Sequence, residues 1–304
     1  MEKPFILHML TTAKNLSPFD ANMALDAGWI NALPYLNVEP SEVQGLVQDV
    51  IFSRSPKNLL KTGIFIGGRD TKQAMDMLKS AKRSMFAPFE VSVFADPSGA
   101  FTTAAGMVAV AENDLINKFN TNLAGKNVMV LGGTGPVGQV VSVIAAQAGA
   151  NVRLIGRQLD KAQNTADMCN NEFGAGKISI KAGADAEKAE YLKTADIVFA
   201  TGAAGIELLS AELVASAPQL KVAADVNAVP PAGIAGVDAF QNGTPIKGSN
   251  SGAVGLGAMA IGNVKYQVQN LLLKRMINAE KPIFLHFEHA FEVARAYLKE
   301  TSKK

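Results

Sequence analysis

The sequence has 304 residues, of which 48% are hydrophobic and 18% are charged, a composition typical of a globular protein. This length exceeds the usual size of a single compact core, so we expect two domains. With 29 basic and 27 acidic side chains and a formal net charge of +2, the chain offers no electrostatic basis for binding nucleic acid or a membrane surface, which favours a small-molecule partner.

Cysteine and histidine are scarce. Cys169 is the only cysteine, so no internal disulfide can form, and a reducing, cytoplasmic compartment is indicated. The three histidines (His8, His286 and His289) argue against a zinc site. His286 and His289 have a spacing that could hold a metal on a helix, but no third ligand follows them, so we predict no metal. No apolar stretch approaches the about 20 residues that span a bilayer, and the apolar run at the N-terminus is too short for a signal peptide.

In the first part of the chain, short strand-like runs alternate with segments of helical period, which is typical of an α/β protein with a mainly parallel sheet. Runs of β-branched or aromatic residues predict strands at residues 5–10, 62–66 and 89–94. Segments of helical period predict helices at residues 18–27, 39–50, 71–85 and 102–117. Pro40 suits a first helical turn, and Gly106 allows another element to pack closely on the last of these helices.

The second part of the chain is more regular and predicts a doubly wound domain of the Rossmann type. Strands are predicted at residues 127–131, 151–155, 177–180, 196–200 and 221–226, and helices at residues 136–148, 160–172, 186–194 and near Ser210. Residues 118–126 are polar and predict the crossing between domains. We therefore expect an N-terminal α/β domain over residues 1–119 and a nucleotide-binding domain over residues 120–274. The last helices, within residues 262–275 and 287–299, are expected to return to the first domain and to leave a cleft between the two.

A glycine-rich segment, VLGGTGPVGQV, follows the first predicted strand of the second domain. It contains the pattern G-x-G-x-x-G at Gly133, Gly135 and Gly138, which is weak evidence in isolation. Here it follows an apolar strand, opens an apolar helix and precedes a second strand, as dinucleotide binding requires. Gly133 is expected to permit the tight turn, Gly135 to bring backbone N–H groups near a pyrophosphate, and Gly138 to let the helix pack closely. The helix N-terminus adds a favourable dipole.

Further residues are expected to contact the same dinucleotide. Thr134 is predicted to donate a hydrogen bond to a phosphate, and Pro136 and Val137 form the first helical turn beside it. Residues that follow later strands lie at the carboxyl end of the sheet, where ligands bind in such folds. These are Gly202, Ala203 and Asn227, the last of them near the nicotinamide.

The residue after the second strand of this domain distinguishes NAD from NADP. Enzymes that use NAD usually place an acid there to bind the ribose 2′-hydroxyl. This chain has Arg157 instead, with Asp160 three residues later and Lys161 next to it. An arginine can stack on adenine and pair with a 2′-phosphate. The sequence therefore favours NADP, whereas a merely solvated Arg157 would leave NAD usable.

Eight segments between Ser17 and Lys265 together resemble the methylene-tetrahydromethanopterin dehydrogenases of methylotrophic bacteria, which are methylene-tetrahydrofolate dehydrogenase-like enzymes. The segments are SPFDANMALDAG, GIFIGG, TTAAGMVAV, VLGGTGPVGQV, IGRQLDKAQ, TGAAGIELL, ADVNAVPPAGIAGVDA and GAVGLGAMAIGNVK. The resemblance implies direct hydride transfer from 5,10-methylene-tetrahydromethanopterin to a nicotinamide, giving the methenyl cation, in the oxidation of formaldehyde. It also suggests a homo-oligomer, a trimer or larger.

The resemblance directs attention to polar residues in these segments, each of which also has a structural interpretation. Asp20 could orient the pterin or favour the cationic product, or it could be a first-turn acid; Asn22 lies in the same segment. Thr102 and Thr103 could bind the pterin or cap a helix. Lys265 could hydrogen-bond to the pterin or extend into solvent. Asp20 and Lys265 are the candidate catalytic residues.

The sequence is also compatible with three other functions. The same chemistry on methylene-tetrahydrofolate differs only in contacts to the tail of the carrier. A shikimate- or quinate-type dehydrogenase would need a lysine–aspartate pair, for which Lys61 and Asp96 are candidates. A non-catalytic NADP sensor would bind without turnover. Because Tyr35 has no lysine nearby, we expect none of the cyclohydrolase activity found in some tetrahydrofolate enzymes.

Overall fold

The computed structural model describes residues 3–302, which form two compact units. Of these residues, unit 1 contains residues 3–102 and 266–293, and unit 2 contains residues 103–265 and 294–302. The domain boundaries expected from the sequence, and the cleft expected with them, stay predictions. Within the described residues, no helix combines the length and the apolar character needed to cross a bilayer.

Unit 1 is built on a parallel sheet of five strands in the order β12-β4-β3-β1-β2. The strands are β1 (Ile6–Leu10), β2 (Asn31–Tyr35), β3 (Thr62–Ile66), β4 (Ser92–Ala95) and β12 (Phe284–Leu285). Four helices follow these strands: α1 (Pro18–Asp26), α2 (Val43–Phe52), α3 (Pro56–Leu59) and α4 (Thr71–Arg83). Every residue of β3 and β4 is buried, as expected for central strands covered on both faces. The strand order reverses between β1 and β3.

Unit 2 is built on a sheet of seven strands in the order β10-β11-β9-β8-β5-β6-β7. The strands are β5 (Asn127–Leu131), β6 (Asn151–Gly156), β7 (Ile180–Ala184), β8 (Ile197–Ala200), β9 (Val222–Asp225), β10 (Asn242–Pro245) and β11 (Val254–Leu256). The helices are α6 (Pro136–Gln147), α7 (Leu159–Met168), α8 (Lys188–Leu192) and α9 (Ala211–Ala215). Strand β10 runs antiparallel to β11, and the other neighbours are parallel. The order reverses between β5 and β8, which is where such sheets bind nucleotides.

Three longer helices complete the fold: α5 (Ala100–Phe119), α10 (Ala258–Ile277) and α11 (Phe287–Thr301). Helix α5 begins after Asp96, whose Oδ1 accepts a hydrogen bond from the backbone N–H of Phe101 at 2.9 Å. Helix α4 begins after Asp70, whose carboxylate accepts from the N–H of Gln73 at 2.8 Å. Both helices thus start where an acid satisfies N–H groups that lack a helical partner.

The predicted α/β class with two parallel-dominated sheets is confirmed. Strands β3 and β5 have the predicted bounds, but β7 was predicted at residues 177–180 and lies three residues later. Ala175 and Gly176 have positive φ values and turn the chain ahead of it. Strands β2, β10, β11 and β12 were not predicted, because the first three contain proline or glycine and β12 has only two residues.

Candidate functional site

The glycine-rich turn after β5 is shaped by Gly132. This residue has φ +69°, and a Cβ on it would lie 2.6 Å from the backbone nitrogen of Gly202. The sequence predicted Gly133 for the tight turn, and the left-handed conformation lies one residue earlier, at Gly132. Gly133 is instead required by packing, since a Cβ there would lie 2.6 Å from Cγ of Leu154. Two consecutive glycines left the sequence unable to indicate which one carries the left-handed conformation.

Helix α6 packs directly on this turn through Gly138, as predicted. A Cβ on Gly138 would lie 2.6 Å from both Cα of Gly133 and Oγ1 of Thr201. Among the described residues, no side chain caps the start of α6 at Gly135. A Cβ on Gly135 would meet only carbonyl oxygens, at 3.4 Å and 4.0 Å. The turn thus presents the helix N-terminus and an open backbone surface, which fit a pyrophosphate.

The loops after β8 and β9 join the turn at the same edge of the sheet. Gly202 lies against Gly132, and the backbone N–H of Gly205 donates to Oδ1 of Asn227 at 3.2 Å. Ala203, between them, is exposed. The structure therefore brings together the predicted residues of the turn, Gly202, Ala203 and Asn227.

The side chain of Asn227 is occupied within the protein. Its Oδ1 also accepts from the N–H of Val229 at 2.9 Å, and its Nδ2 donates to the carbonyl of Pro231 at 2.8 Å. Asp225, which is 2% exposed, accepts N–H groups of Asn227, Gly233 and Ile234. Burial raises the pKa of Asp225, although these hydrogen bonds act in the opposite direction. Asn227 thus holds two loops together, a role that was not predicted from the sequence. The one signal for it in the sequence was Asp225, the acid at the end of β9.

A cavity of about 350 Å³ lies beside the turn and is lined by Thr134, Arg157, Gln158 and Lys161. Arg157 and Lys161 are exposed, and Asp160 does not line the cavity. Two cations and one hydroxyl therefore converge next to the phosphate-binding turn. This composition suits an additional phosphate group better than a ribose hydroxyl.

A larger cavity of about 620 Å³ lies at the opposite edge of the sheet of unit 2, where Asn127 and Asn151 begin β5 and β6. Of the two cations that line it, Arg153 lies 4.2 Å from the centre of the ring of Tyr191 and donates to the carbonyl of Ala182 at 3.0 Å. Ligands of parallel sheets bind at the carboxyl ends of the strands. We therefore do not assign the nucleotide to this cavity.

Unit 1 has its own cavity, of about 550 Å³, at the point where its strand order reverses. Thr11 and Gly67, which directly follow β1 and β3, both line it. Asp20, in the first turn of α1, is 4% exposed and accepts a hydrogen bond from Nε2 of Gln269 at 2.8 Å. A buried carboxylate thus lies at the position in the sheet where ligands bind. The polar lining residues are Thr11, Lys14, Asn15, Ser17, Asp20, Arg69 and Ser98.

Sequence reasoning named Asp20 but missed Lys14, Arg69 and Ser98. They stand in loops that follow β1, β3 and β4, and only the strand order brings these loops to one cavity. Each of these three residues lies just beyond a predicted strand, and this position was the signal in the sequence that could have identified them.

The surroundings of two predicted substrate-binding residues, Thr102 and Asn22, differ from those expected of a residue that contacts the pterin. The Oγ1 of Thr102 is fully buried and donates to Oδ2 of Asp96 at 2.6 Å, inside the first turn of α5. The helix begins two residues earlier than predicted, and Asp96 rather than Thr102 caps it. Asn22 is exposed on α1, and residues two apart on a helix do not face the same way, so it points away from Asp20. Thr103 is half-buried.

Lys265 is half-buried on α10 where this helix meets α5. A Cβ on Gly106 would lie 3.2 Å from the backbone nitrogen of Lys265 and 3.3 Å from the carbonyl of Ile261, so the close packing predicted at Gly106 is present. Lys265 lies one helical turn before Gln269, and residues four apart share one side of a helix. The lysine therefore shares a helix side with the partner of Asp20.

Lys61 and Asp96 do not form the lysine–aspartate pair of a shikimate-type enzyme. Lys61 directly precedes β3 and lies over the ring of Phe5 at 5.7 Å. Asp96 directly follows β4, and β3 and β4 are parallel neighbours. Lys61 and Asp96 are therefore at opposite edges of the sheet, and Asp96 is fully buried and engaged in capping α5.

His286 and His289 form the start of α11. The backbone N–H of His286 donates to Nδ1 of His289 at 3.3 Å, a capping interaction. Burial lowers the pKa of His286 to about 4. Across residues 3–302, no three acidic, histidine or cysteine side chains are grouped as a metal would require.

The fold and the site together define a two-unit α/β protein of the Rossmann type. Quinate dehydrogenase from Corynebacterium glutamicum in complex with NAD is similar, with a TM-score of 0.57 and 13% identity, over 97% of this chain and 99% of that one. Shikimate 5-dehydrogenase from Listeria monocytogenes, in complex with shikimate and NAD, has a TM-score of 0.53 and 12% identity, over 95% and 96% of the chains. At these identities the likeness shows the fold alone.

Comparison with other sequences is more specific. The N-terminal model of methylene-tetrahydromethanopterin dehydrogenase matches residues 18–98. The chain is 43% identical over 290 residues to the NAD(P)-dependent methylenetetrahydromethanopterin dehydrogenase of Methylorubrum extorquens, covering 95% of this chain and 97% of the relative. It is also 34% identical over 279 residues to a relative from the same organism named bifunctional protein MdtA, covering 92% and 94%. The chain therefore belongs to the methylene-tetrahydromethanopterin dehydrogenase family, as the resemblance of its motifs predicted.

Proposed function

We propose that this protein oxidises 5,10-methylene-tetrahydromethanopterin to the 5,10-methenyl cation by direct hydride transfer to a nicotinamide cofactor. The observation that carries the proposal is the buried carboxylate of Asp20 in a cavity at the strand reversal of unit 1. The identity with the NAD(P)-dependent relative supports the reaction and the cofactor.

The reaction has modest chemical requirements. A hydride leaves the methylene carbon as the lone pairs of the two neighbouring nitrogens stabilise the positive charge that forms, so no general base or nucleophile is needed. Catalysis then consists of holding the reacting carbons at contact distance and stabilising a developing cation. A desolvated carboxylate near that cation suits the second task, and we assign it to Asp20. Gln269, which donates to this carboxylate, keeps one oxygen in a fixed position.

The dinucleotide would be held by unit 2, where it supplies the hydride acceptor. The turn at Gly132, Gly133 and Gly135 and the N-terminus of α6 would bind the pyrophosphate. Arg157 and Lys161 would bind the adenosine 2′-phosphate, so we infer a preference for NADP, with NAD as a weaker acceptor.

Other features expected from the sequence remain part of the proposal. Lys265 is assigned a hydrogen bond to the pterin. We expect no cyclohydrolase activity; Tyr35, the tyrosine considered for it, has its hydroxyl 3.0 Å from Nδ1 of His8. A homo-oligomer and a role in formaldehyde oxidation are suggested by the family. The cytoplasm is suggested by Cys169, a free thiol that is buried and has its pKa raised to about 12 by that burial.

The proposal is tested by steady-state turnover with methylene-tetrahydromethanopterin or methylene-tetrahydrofolate, each paired with NADP or NAD. We expect the highest kcat/KM for methylene-tetrahydromethanopterin with NADP. If only the folate substrate reacts, the chemistry stands and the carrier is wrong. If neither pterin reacts while NADP still binds, the proposed reaction is wrong.

A further inference from the structure

One face of the sheet of unit 2 is polar where β5, β6 and β7 begin. Residues paired in register across these parallel strands share a face, and the pairs here are Asn127 with Asn151 and Arg153 with Lys181. All four line the cavity of about 620 Å³. Two residues further along β6, on the same face, Ile155 is buried in the hydrophobic core. The core therefore ends part-way along these strands, and polar side chains line the cavity over the rest of the face.

The guanidinium of Arg153 is held in one position. It donates to the carbonyl of Ala182 at 3.0 Å and lies 4.2 Å from the centre of the ring of Tyr191. A Cβ on Gly183 would lie 2.8 Å from Cε2 of Tyr191 and 3.0 Å from Cδ of Arg153, so glycine leaves room for the stacked pair. The hydroxyl of Tyr191 donates to the carboxylate of Glu187, which anchors the ring. A guanidinium fixed in this way loses little conformational entropy when it binds a ligand.

Arg153 and Lys181 form no salt bridge within residues 3–302. Glu190, the one acid among the described residues that line the cavity, pairs with Lys193. Adjacent strands are about 4.8 Å apart, so two cations at one register level repel each other. An anion between them would remove this repulsion and would accept hydrogen bonds from the half-buried guanidinium.

We propose that this cavity is a second ligand site of unit 2, which binds a small hydroxylated molecule that carries a phosphate monoester. A phosphate monoester has a charge of about −2 near neutral pH, which matches the two cations, whereas one carboxylate has a single negative charge. The cavity volume lies within the range of about 300–1,000 Å³ that is usual for small-molecule sites. The hydroxyls of Ser179 and Thr194 and the amides of Asn127 and Asn151 line the same cavity and suit hydroxyl groups of the ligand.

This site and the glycine-rich turn lie at opposite ends of the same strands. Asn127 begins β5, and Gly132 directly follows its last residue, Leu131. A strand of five residues is about 16 Å long, which separates the two anion-binding positions. Both sites can therefore be occupied at once, and NADP should not compete for this cavity. The inference does not depend on the proposed reaction.

The test measures the dissociation constant of ribose 5-phosphate for the full-length protein by calorimetry at neutral pH. The variant is Arg153→Gln with Lys181→Gln. The matched control is Arg157→Gln with Lys161→Gln, which removes the same charge from the other cationic cavity of unit 2. We expect the variant to bind ribose 5-phosphate at least tenfold more weakly and the control to bind it within about twofold of the wild type. Saturating NADP should change the wild-type value less than about twofold.

A second variant, Lys181→Glu, guards against misfolding, because Lys181 is exposed and its replacement leaves the stacked guanidinium in place. It should also bind ribose 5-phosphate at least tenfold more weakly, since it places an acid beside the phosphate. Two probes test the chemistry of the ligand on the wild type. Ribose should bind at least tenfold more weakly than ribose 5-phosphate, and ribonate, with a carboxylate in place of the phosphate, about fivefold more weakly.

The site is overturned if the wild type does not bind ribose 5-phosphate, or binds ribose equally well. Loss of binding in saturating NADP, or an equal loss in the control, would place the phosphate in the nucleotide cavity instead. Undiminished binding in Lys181→Glu would contradict the role of the two cations even if the double variant did not fold. Equal affinities for ribonate and ribose 5-phosphate would contradict the assignment of a phosphate monoester. Because none of these measurements uses a pterin, their outcome is independent of the proposed hydride transfer.

Discussion

Asp20 combines burial with a negative charge at the start of a helix. Asp20 is 4% exposed, and its carboxylate accepts a hydrogen bond from Gln269 in unit 1. Such a group is poorly hydrated, so its field acts strongly on a charge that develops nearby. This is the property that a hydride-transfer site with a cationic product requires.

We predict that Asp20→Asn lowers kcat about 100-fold, because a neutral amide cannot stabilise the methenyl cation. The KM for NADP should change less than about twofold. The matched control is Asp26→Asn, an exposed acid at the end of the same helix. Stopped-flow single turnover separates this chemical effect from product release, and an unchanged chemical rate in Asp20→Asn would contradict the assigned role.

Arg157 determines nucleotide choice if it binds the 2′-phosphate. We predict that Arg157→Gln raises the KM for NADP at least tenfold and changes the KM for NAD less than about twofold, because only NADP carries the additional charge. Lys177→Gln, an exposed cation of unit 2 outside the cavity, serves as the control. Parallel rises for both nucleotides would indicate that Arg157 stacks on the adenine instead.

The role of a residue could be predicted from the sequence where a local motif indicates that role. The fingerprint indicated the glycine-rich turn after β5, and Arg157 was identified by its distance from the glycines. Asn227 was expected near the nicotinamide, and the hydrogen bonds by which its amide joins two loops were not predicted. Such hydrogen bonds connect segments distant in sequence, and no local pattern encodes them.

At the scale of elements, the contact between α6 and the glycine turn sets the geometry of the nucleotide site. We predict that Gly138→Ala weakens NADP binding at least tenfold, because its Cβ would overlap Cα of Gly133 and push the helix away from the turn. In the control, Gly262→Ala in helix α10, a Cβ meets nothing within 4 Å. That change should raise the free energy of unfolding by about 0.5–1 kcal/mol. Unaltered NADP affinity in Gly138→Ala, measured by fluorescence titration, would show that the turn tolerates a displaced helix.

The elements themselves were predictable to different degrees. Long amphipathic or apolar segments such as α5 and β5 were identified, because periodicity reports burial directly. Short edge strands such as β12 were not, since two residues carry no period. The cavity of unit 1 required the strand order β2-β1-β3, which depends on pairing between distant segments and cannot be read from periodicity.

At the scale of the whole molecule, stability should depend on pH through His286. Burial lowers its pKa from 6.5 to about 4, and its Nδ1 has no hydrogen-bond partner within the described residues. Between these values the unfolded chain binds a proton that the folded protein does not. The contribution of neutral His286 to the free energy of unfolding is therefore complete above about pH 6.5. It is lost as the pH falls towards 4.

We expect acidification from pH 7.5 to pH 4.5 to lower the free energy of unfolding by about 2–3 kcal/mol through this residue. Urea denaturation at both pH values measures it. The variant His286→Gln should lose correspondingly less, because it has no titrating group at this position. An equal loss in the wild type and in His286→Gln would show that His286 does not contribute.

The two units carry complementary chemical features. Unit 2 contains the glycine turn and a cationic pocket suited to a dinucleotide phosphate, and unit 1 contains a cavity with an internal acid and cations at its rim. Quinate and shikimate dehydrogenases have the same fold, but Lys61 and Asp96 do not form the lysine–aspartate pair expected of them. The proposed hydride transfer needs neither member of that pair.

Direct transfer of the hydride is the central claim and can be measured by isotopic labelling. The methylene carrier is prepared with two deuterium atoms on its one-carbon unit and is oxidised in ordinary water with NADP, and the reduced nucleotide is analysed by mass spectrometry and NMR. We predict one deuterium at C4 of the nicotinamide in each molecule formed, and none when unlabelled carrier is oxidised in deuterated water. Reduced nucleotide without deuterium from the labelled carrier would contradict direct hydride transfer.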